Sequence, residues 1–276
     1  MEIVNCTVEN RVAFLEMRNS KKLNCLSHAL CGELIECFEN LKDKDILAIV
    51  ICAEKGSKVW SAGHDIKELP TDSNDPLSFN VAMEKLLREV QNAVVPVIAL
   101  VEGSVWGGAC DLCTVCDMIV ASDTSTFAIT PAKIGIPYNT SGIMHFVNTM
   151  SLNKAKELFF TASPISSQDA YNMGFVNYVA SPEKLRDVLE EKILSKMRNN
   201  SVLAISAIKR QFSLLTRATA NLPMEAFENI QDIRRLAYQD GADYIEGVSA
   251  FLEKRKPVFK GKACDLDTII EKDKKI

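Results

Sequence analysis

Apolar and polar residues alternate over 2–8 and again over 11–17, with Glu9-Asn10 between the two β-branched stretches. Period-two patterning around a polar pair predicts a β-hairpin. Over 27–43 the period lengthens: Leu30, Leu34, Ile35, Phe38 and Leu41 share one helical face, and Ser27 stands where an N-cap belongs. Residues 46–52 are continuously apolar, the pattern of a strand buried on both faces. A loop over 53–70, a helix over about 76–92, a strand over 97–102 and a turn over 103–107 follow. A further helix starts at about Gly108, and 117–121 reads as another strand. Strands alternating with helices predict an α/β fold.

Beyond Gly174 the pattern changes to four amphipathic helical stretches, 182–197, 203–216, 224–239 and 244–254, with one brief strand near 175–179. The reading is an α/β core over 1–195 and a helical part over 196–276, without internal repeats. Residues 261–276 are charged and expected to fray.

The chain has 276 residues, 47% hydrophobic and 25% charged, enough for one large domain or a domain with a helical appendage. A net charge of −4 argues against a nucleic-acid partner. Basic runs such as Lys21-Lys22 and Lys254-Arg255-Lys256 read as solvated faces that a small anionic ligand can still use. No apolar run approaches the ~20 residues of a membrane span. The start has neither a basic nor an apolar signal region, and nine scattered cysteines suit a reducing compartment, so a cytoplasmic enzyme is expected. Cys110, Cys113 and Cys116 have the spacing that opens a ferredoxin motif, but no cysteine follows until Cys264. Buried thiols on a short helix are the expectation. His28, His64 and His145 lack ligand spacing, so no metal and no separate cofactor is expected.

Two small-residue turns stand at the ends of apolar strands, where α/β folds place ligands. They are Ser61-Ala62-Gly63-His64-Asp65-Ile66 and the segment from Gly103 to Leu112, with Gly107-Gly108 at its centre. A glycine pair opening a helix lets backbone approach a ligand, and the free N–H groups favour negative charge. Together with Asn24-Cys25-Leu26, Pro131, Gly135 and the ending Phe251-Leu252-Glu253-Lys254-Arg255, these turns resemble the signature of the crotonase (enoyl-CoA hydratase/isomerase) family over nearly the whole chain. The resemblance implies a crotonase-like spiral of ββα units with a helical C-terminal trimerisation part, assembled as a homo-trimer or a hexamer of two trimers. It implies an acyl-CoA substrate whose thioester oxygen is held by the backbone N–H groups of His64 and Gly108. Ala62, Gly63, Asp65 and Gly107 belong to the turns that hold this substrate. Lys21 or Lys22 are expected to meet its phosphates, and Phe251 and Lys254 to reach the coenzyme in a neighbouring subunit.

Hydratases of the family use two glutamates as acid and base. The first falls at Asp111, one methylene shorter, and the second at Ala132. Loss of a positioned acid/base forfeits ~10²–10⁴-fold in rate, so hydration and ordinary isomerisation are disfavoured. Decarboxylation of a malonyl-type thioester needs only the oxyanion site, because C–C cleavage sends its electrons into the thioester oxygen. The expected reaction is therefore conversion of methylmalonyl-CoA or malonyl-CoA to propionyl-CoA or acetyl-CoA. In it the His64 imidazole adds a hydrogen bond, Thr130 holds the carboxylate or passes a proton, and Tyr138 positions the carboxylate from a loop before a helix. Trp106, Ile136, Tyr138 and Ile143 are expected to set acyl size. The rival readings are another crotonase reaction using Asp111 and a non-catalytic acyl-CoA-binding scaffold. An Asp111→Asn change should abolish the former chemistry and be better tolerated by a decarboxylase.

Overall fold

A computed structural model describes residues 3–70, 81–219, 224–235 and 242–261. Its strands β1 (Val4–Glu9) and β2 (Val12–Met17) form the expected hairpin, with Val4 opposite Met17 and Glu9 opposite Val12. The turn residues are Asn10 and Arg11, one position later than the sequence suggested, and both are left-handed (φ 48° and 65°). That is the two-residue turn whose twist matches the strands.

Helix α1 (His28–Leu41) begins where the periodicity placed it, and Ser27 Oγ accepts the Leu30 N–H at 3.3 Å. Replacing Ser27 by alanine should cost about 1 kcal/mol, read as a lower urea midpoint with an unchanged slope. An unaltered midpoint would remove the cap from the account.

β3 (Ala48–Ala53), β5 (Val97–Val101) and β7 (Met118–Ser122) are the apolar runs. They lie in a six-stranded sheet of order β1-β2-β3-β5-β7-β10, with β10 at Tyr178–Ala180. A second sheet joins β4 (Val59–Ser61), β6 (Ser104–Trp106), β8 (Thr126–Ala128) and β9 (Ile165–Ser166). Each long strand is followed by a short one and then a helix: β3, β4, α2 (Ala82–Asn92); β5, β6, α3 (Gly108–Val115); β7, β8, α4 (Thr140–Thr149). Stacking these three turns makes the expected ββα spiral. The loop read over 53–70 and the turn read over 103–107 are thus corrected, since they contain β4 and β6. Three residues are too few to display alternation.

The central strands of the six-stranded sheet are buried on both faces. On one face, Leu185, Leu189, Ile193 and Met197 meet Val50, Ile98 and Val120. Those apolar residues come from a continuous helical run: α7 (Leu185–Leu189), the π-helical Glu190–Leu194 and α8 (Ser195–Arg198). The other face packs against α1, α2 and α3 through residues such as Leu30, Leu86 and Leu112. Cys110 and Cys113 in α3 and Cys116 at its C-cap are free and buried, as expected, and burial pushes their thiols up.

Helix α5 (Leu152–Thr161) leads from α4 to β9, and α6 (Ser167–Asn172) connects β9 to β10. α9 (Val202–Thr219), α10 (Met224–Arg235) and α11 (Ala242–Leu252) complete the described chain. α9 is tied to the core by buried Lys209, whose ammonium donates to Val90 O, Val95 O and Asp117 Oδ2 at 3.2, 3.1 and 2.7 Å. The opening residues of the helix read from 76, the end of the one read to 239 and the tail from 262 lie outside the described residues.

Candidate active site

The two glycine turns meet face to face. Gly63 sits at φ +80° between β4 and His64, and a Cβ there would lie 2.2 Å from Trp106 O and 3.0 Å from Gly108 N. Gly107, at φ +53°, turns the chain into α3. The first N–H groups of a helix have no intrahelical acceptor and carry its positive end, so Gly108 presents a donor beside His64. The Asn24-Cys25-Leu26 segment braces the opposite side: Leu26 N–H donates to Gly63 O at 2.7 Å, and Ser61 Oγ donates to Asn24 O at 2.7 Å.

These residues open onto a cavity of about 60 Å³ lined by Ala62, His64, Gly107, Gly108, Thr130 and Tyr138, with Leu69, Met83, Ile134 and Ile136 among its apolar walls. Among the described residues no carboxylate lines it. His64 Nδ1 is buried and has no hydrogen-bond partner among the described residues. Burial lowers the imidazole's pKa, so the ring is neutral at neutral pH. Thr130 stands across from the glycine turn, its Oγ1 3.2 Å from where a Gly107 Cβ would be.

Tyr138 precedes α4 in the loop the sequence indicated, packed edge-on against Phe159 at a centroid distance of 5.1 Å. Its hydroxyl donates to Asp111 Oδ2 at 3.1 Å. Asp111 is fully buried and stands one layer behind the cavity, and its Oδ1 lies 2.6 Å from His145 Nδ1. Glu84 of α2 completes the buried cluster, accepting from Asn139 Nδ2 at 2.6 Å. Asn139 Oδ1 in turn caps α4 by accepting the Gly142 N–H at 2.8 Å. Burial first, then the Asp111 charge, push Glu84 up to about 7.

Of the residues expected in the site, His64, Gly108, Thr130, Tyr138, Ala62 and Gly107 come together around one cavity, with Gly63 between them. Asp111 joins them only through Tyr138. Asp65 accepts the Lys67 N–H at 3.1 Å, capping the 3₁₀ turn Ile66–Glu68, and is off the cavity. Lys21 and Lys22 are exposed in the 3₁₀ turn Ser20–Lys22, which Ala62 N–H reaches through Leu23 O at 2.9 Å. Phe251 and Lys254 are exposed at and beyond the end of α11. Ala132 lies on the exposed side of its turn, whose Pro131 and Ile134 reach the cavity. Ile136 and Tyr138 bound the acyl space, whereas Trp106 and Ile143 do not.

Sequence reasoning passed over Glu84 and Gln91 and weighed His145 only as a metal ligand. One signal was present: Glu84 and Gln91 are seven residues apart, on the α2 face that also carries Leu87.

Residues 7–262 match the model of the enoyl-CoA hydratase/isomerase family. The chain belongs to this family, the crotonases. It is 41% identical over 260 residues to the methylmalonyl-CoA decarboxylase of Escherichia coli strain K12, covering 94% of this chain and 98% of that protein. A solved methylmalonyl-CoA decarboxylase in complex with 2-nitronate-propionyl-CoA superposes with a TM-score of 0.91 at 41% identity, covering 95% and 99% of the two chains. The carnitinyl-CoA dehydratase of Citrobacter koseri is more distant, 32% identical over 87% of this chain and 92% of its own length.

Proposed function

We propose that this chain decarboxylates methylmalonyl-CoA, or malonyl-CoA, through a thioester enolate held in an oxyanion hole. The observation that carries the reading is a cavity with backbone donors at His64 and Gly108 and, among the described residues, no carboxylate. A hydratase must place an acid and a base against the substrate, and Asp111 is instead sealed behind Tyr138 and His145. The similarity to the decarboxylase of Escherichia coli points to the same reaction.

The two backbone donors stabilise the oxygen as it takes up the electrons of the breaking C–C bond. Each such donor is worth about 3–4 kcal/mol at the transition state. The substrate carboxylate lies toward Thr130 and Tyr138, out of the carbonyl plane, and the apolar walls strip its water. Neutral His64 adds a hydrogen bond through Nδ1. A cavity of about 60 Å³ suits a short acyl head. Electrons pass directly into the thioester, so the reaction as read requires no metal and no cofactor beyond the coenzyme A of the substrate.

Lys21 and Lys22 meet the coenzyme phosphates in this reading, and Phe251 and Lys254 serve a neighbouring subunit of a trimer or hexamer. Exposed Leu203, Phe212 and Leu215 on α9 supply apolar surface for that assembly. Among the described residues no helix is long and apolar enough to cross a membrane, and a cytoplasmic location fits the free thiols.

Incubated with methylmalonyl-CoA, malonyl-CoA and crotonyl-CoA in turn, the protein should release CO₂ from at least one of the first two and leave the third unhydrated, as read by mass spectrometry of the acyl products. Hydration of crotonyl-CoA without CO₂ release would overturn the reading.

A further inference from the structure

Loss of CO₂ from a malonyl thioester anion consumes one proton per turnover, which must reach the enolate carbon inside a small apolar cavity. Of the polar side chains lining that cavity, His64 Nδ1 and the Thr130 hydroxyl have no charged hydrogen-bond partner among the described residues. Tyr138 does. Its hydroxyl bonds Asp111 Oδ2 at 3.1 Å, Asp111 Oδ1 lies 2.6 Å from His145 Nδ1, and His145 Nε2 is 3.0 Å from the Gln91 amide.

His145 and Gln91 also line a second cavity of about 220 Å³, on the far side of Asp111 from the acyl space. The Asp111 side chain is 1% exposed and that of His145 16%, so solvent meets the imidazole and not the carboxylate. The chain of three side chains thus runs from one cavity to the other. We infer that His145, acting through Asp111, resupplies the proton that Tyr138 delivers to the enolate carbon, with the second cavity as the inlet for solvent protons. This inference rests on the decarboxylase reading.

The enolate carbon forms its new C–H bond with the phenolic hydrogen, and the O–H electron pair stays on Tyr138. The His145 imidazolium protonates Asp111, whose carboxyl turns over and returns a proton to the phenoxide. Neutral His145 takes a proton from water in the second cavity. No oxidant or reductant enters.

The groups facing His145 favour its charged form. Burial alone disfavours the imidazolium, but the Asp111 charge and hydrogen bond, with Glu84 behind them, raise the ring's pKa overall. Arg88 acts on Glu84 from the same helix, and Lys209 and Asp117 line the far cavity, paired with each other at 2.7 Å. The Gln91 amide serves both ring states by turning over, donating to a bare Nε2 or accepting from Nε2–H. The same surroundings hold the Tyr138 phenol well above its ordinary value, so a phenoxide beside Asp111 is quickly reprotonated.

The test uses the wild-type protein, His145→Asn, Tyr138→Phe and the double variant, with methylmalonyl-CoA at saturation across pH 6 to 9. Asparagine keeps an N–H for Asp111 Oδ1 and removes the proton carrier. Wild-type kcat should fall as the imidazolium deprotonates, and H145N should lose that limb together with about 10–100-fold in kcat, at unchanged KM. Adding H145N to Y138F should cost nothing further, because both break one path. Three results overturn the inference: a flat wild-type profile, an H145N variant with wild-type kcat and pH limb, or losses that multiply in the double variant. The wild-type profile decides the matter even where H145N does not fold. Absence of CO₂ release by the wild-type protein from either thioester would instead sink the underlying reading.

Discussion

Gly63→Ala will lower decarboxylation by about 10²–10³-fold, whereas Gly56→Ala, with the same backbone angle, will leave it unchanged. Both glycines have φ +80°, so both substitutions bear the strain of a left-handed alanine, of order 1 kcal/mol. They differ in what the methyl group meets. At Gly56 nothing lies within 4 Å, but at Gly63 the new atom falls 2.2 Å from Trp106 O and 3.0 Å from Gly108 N. Neither neighbour is a side chain that can swing away. The turn after β4 is itself pinned by the Leu26 to Gly63 hydrogen bond, so relief comes by parting the two turns. That separates the N–H groups of His64 and Gly108 and, in the proposed mechanism, forfeits oxyanion stabilisation of about 3–4 kcal/mol. Steady-state rates and urea unfolding of both variants check it. Equal kcat for the two would refute the oxyanion assignment.

A second large effect should appear as pH-dependent stability at Glu84. Burial and the nearby Asp111 charge raise its carboxyl from an ordinary 4.5 to about 7 in the folded chain. Below about 4.5 both states hold the proton and native stability is intact. As pH rises from 4.5 through 7, the unfolded chain gives up its proton first and folding loses ground. The difference of 2.5 pH units corresponds to about 3 kcal/mol. Glu84→Gln keeps an acceptor for Asn139 and removes the titration. The variant should match wild type near pH 5 and exceed it by up to about 3 kcal/mol at pH 8, by urea denaturation. Stability curves that stay parallel across this range would show that Glu84 does not titrate there.

What could be read from residues alone followed from length and burial. β3, β5 and β7 are central strands whose apolar runs are continuous because both faces are covered, and α1 shows its face over four turns. β4, β6 and β8 span three residues each and leave no periodic trace, so half of every ββα turn was hidden. The glycine turns were legible because close backbone approach excludes other residues there. Their meeting was inferred from family resemblance, and the structure supplies it as the contact between Gly63 and Trp106-Gly108. Asp111 was visible as an acid in the first turn of a helix. Its partners were not, since Tyr138 and His145 lie 27 and 34 positions away and only packing brings them together. The expectation that a decarboxylase tolerates Asp111→Asn better than a hydratase runs against the proton path proposed above, in which the carboxylate between Tyr138 and His145 passes protons that an amide does not.

The proposed oxyanion donors, the N–H groups of His64 and Gly108, belong to the main chain and are inherited differently from side chains. A codon change at either position swaps a side chain and leaves the N–H in place, proline alone excepted. In the proposed mechanism the side chains around them can change while both N–H groups stay available to the thioester oxygen. A lineage built this way can exchange one reaction for another without passing through a form that has lost its hold on the substrate.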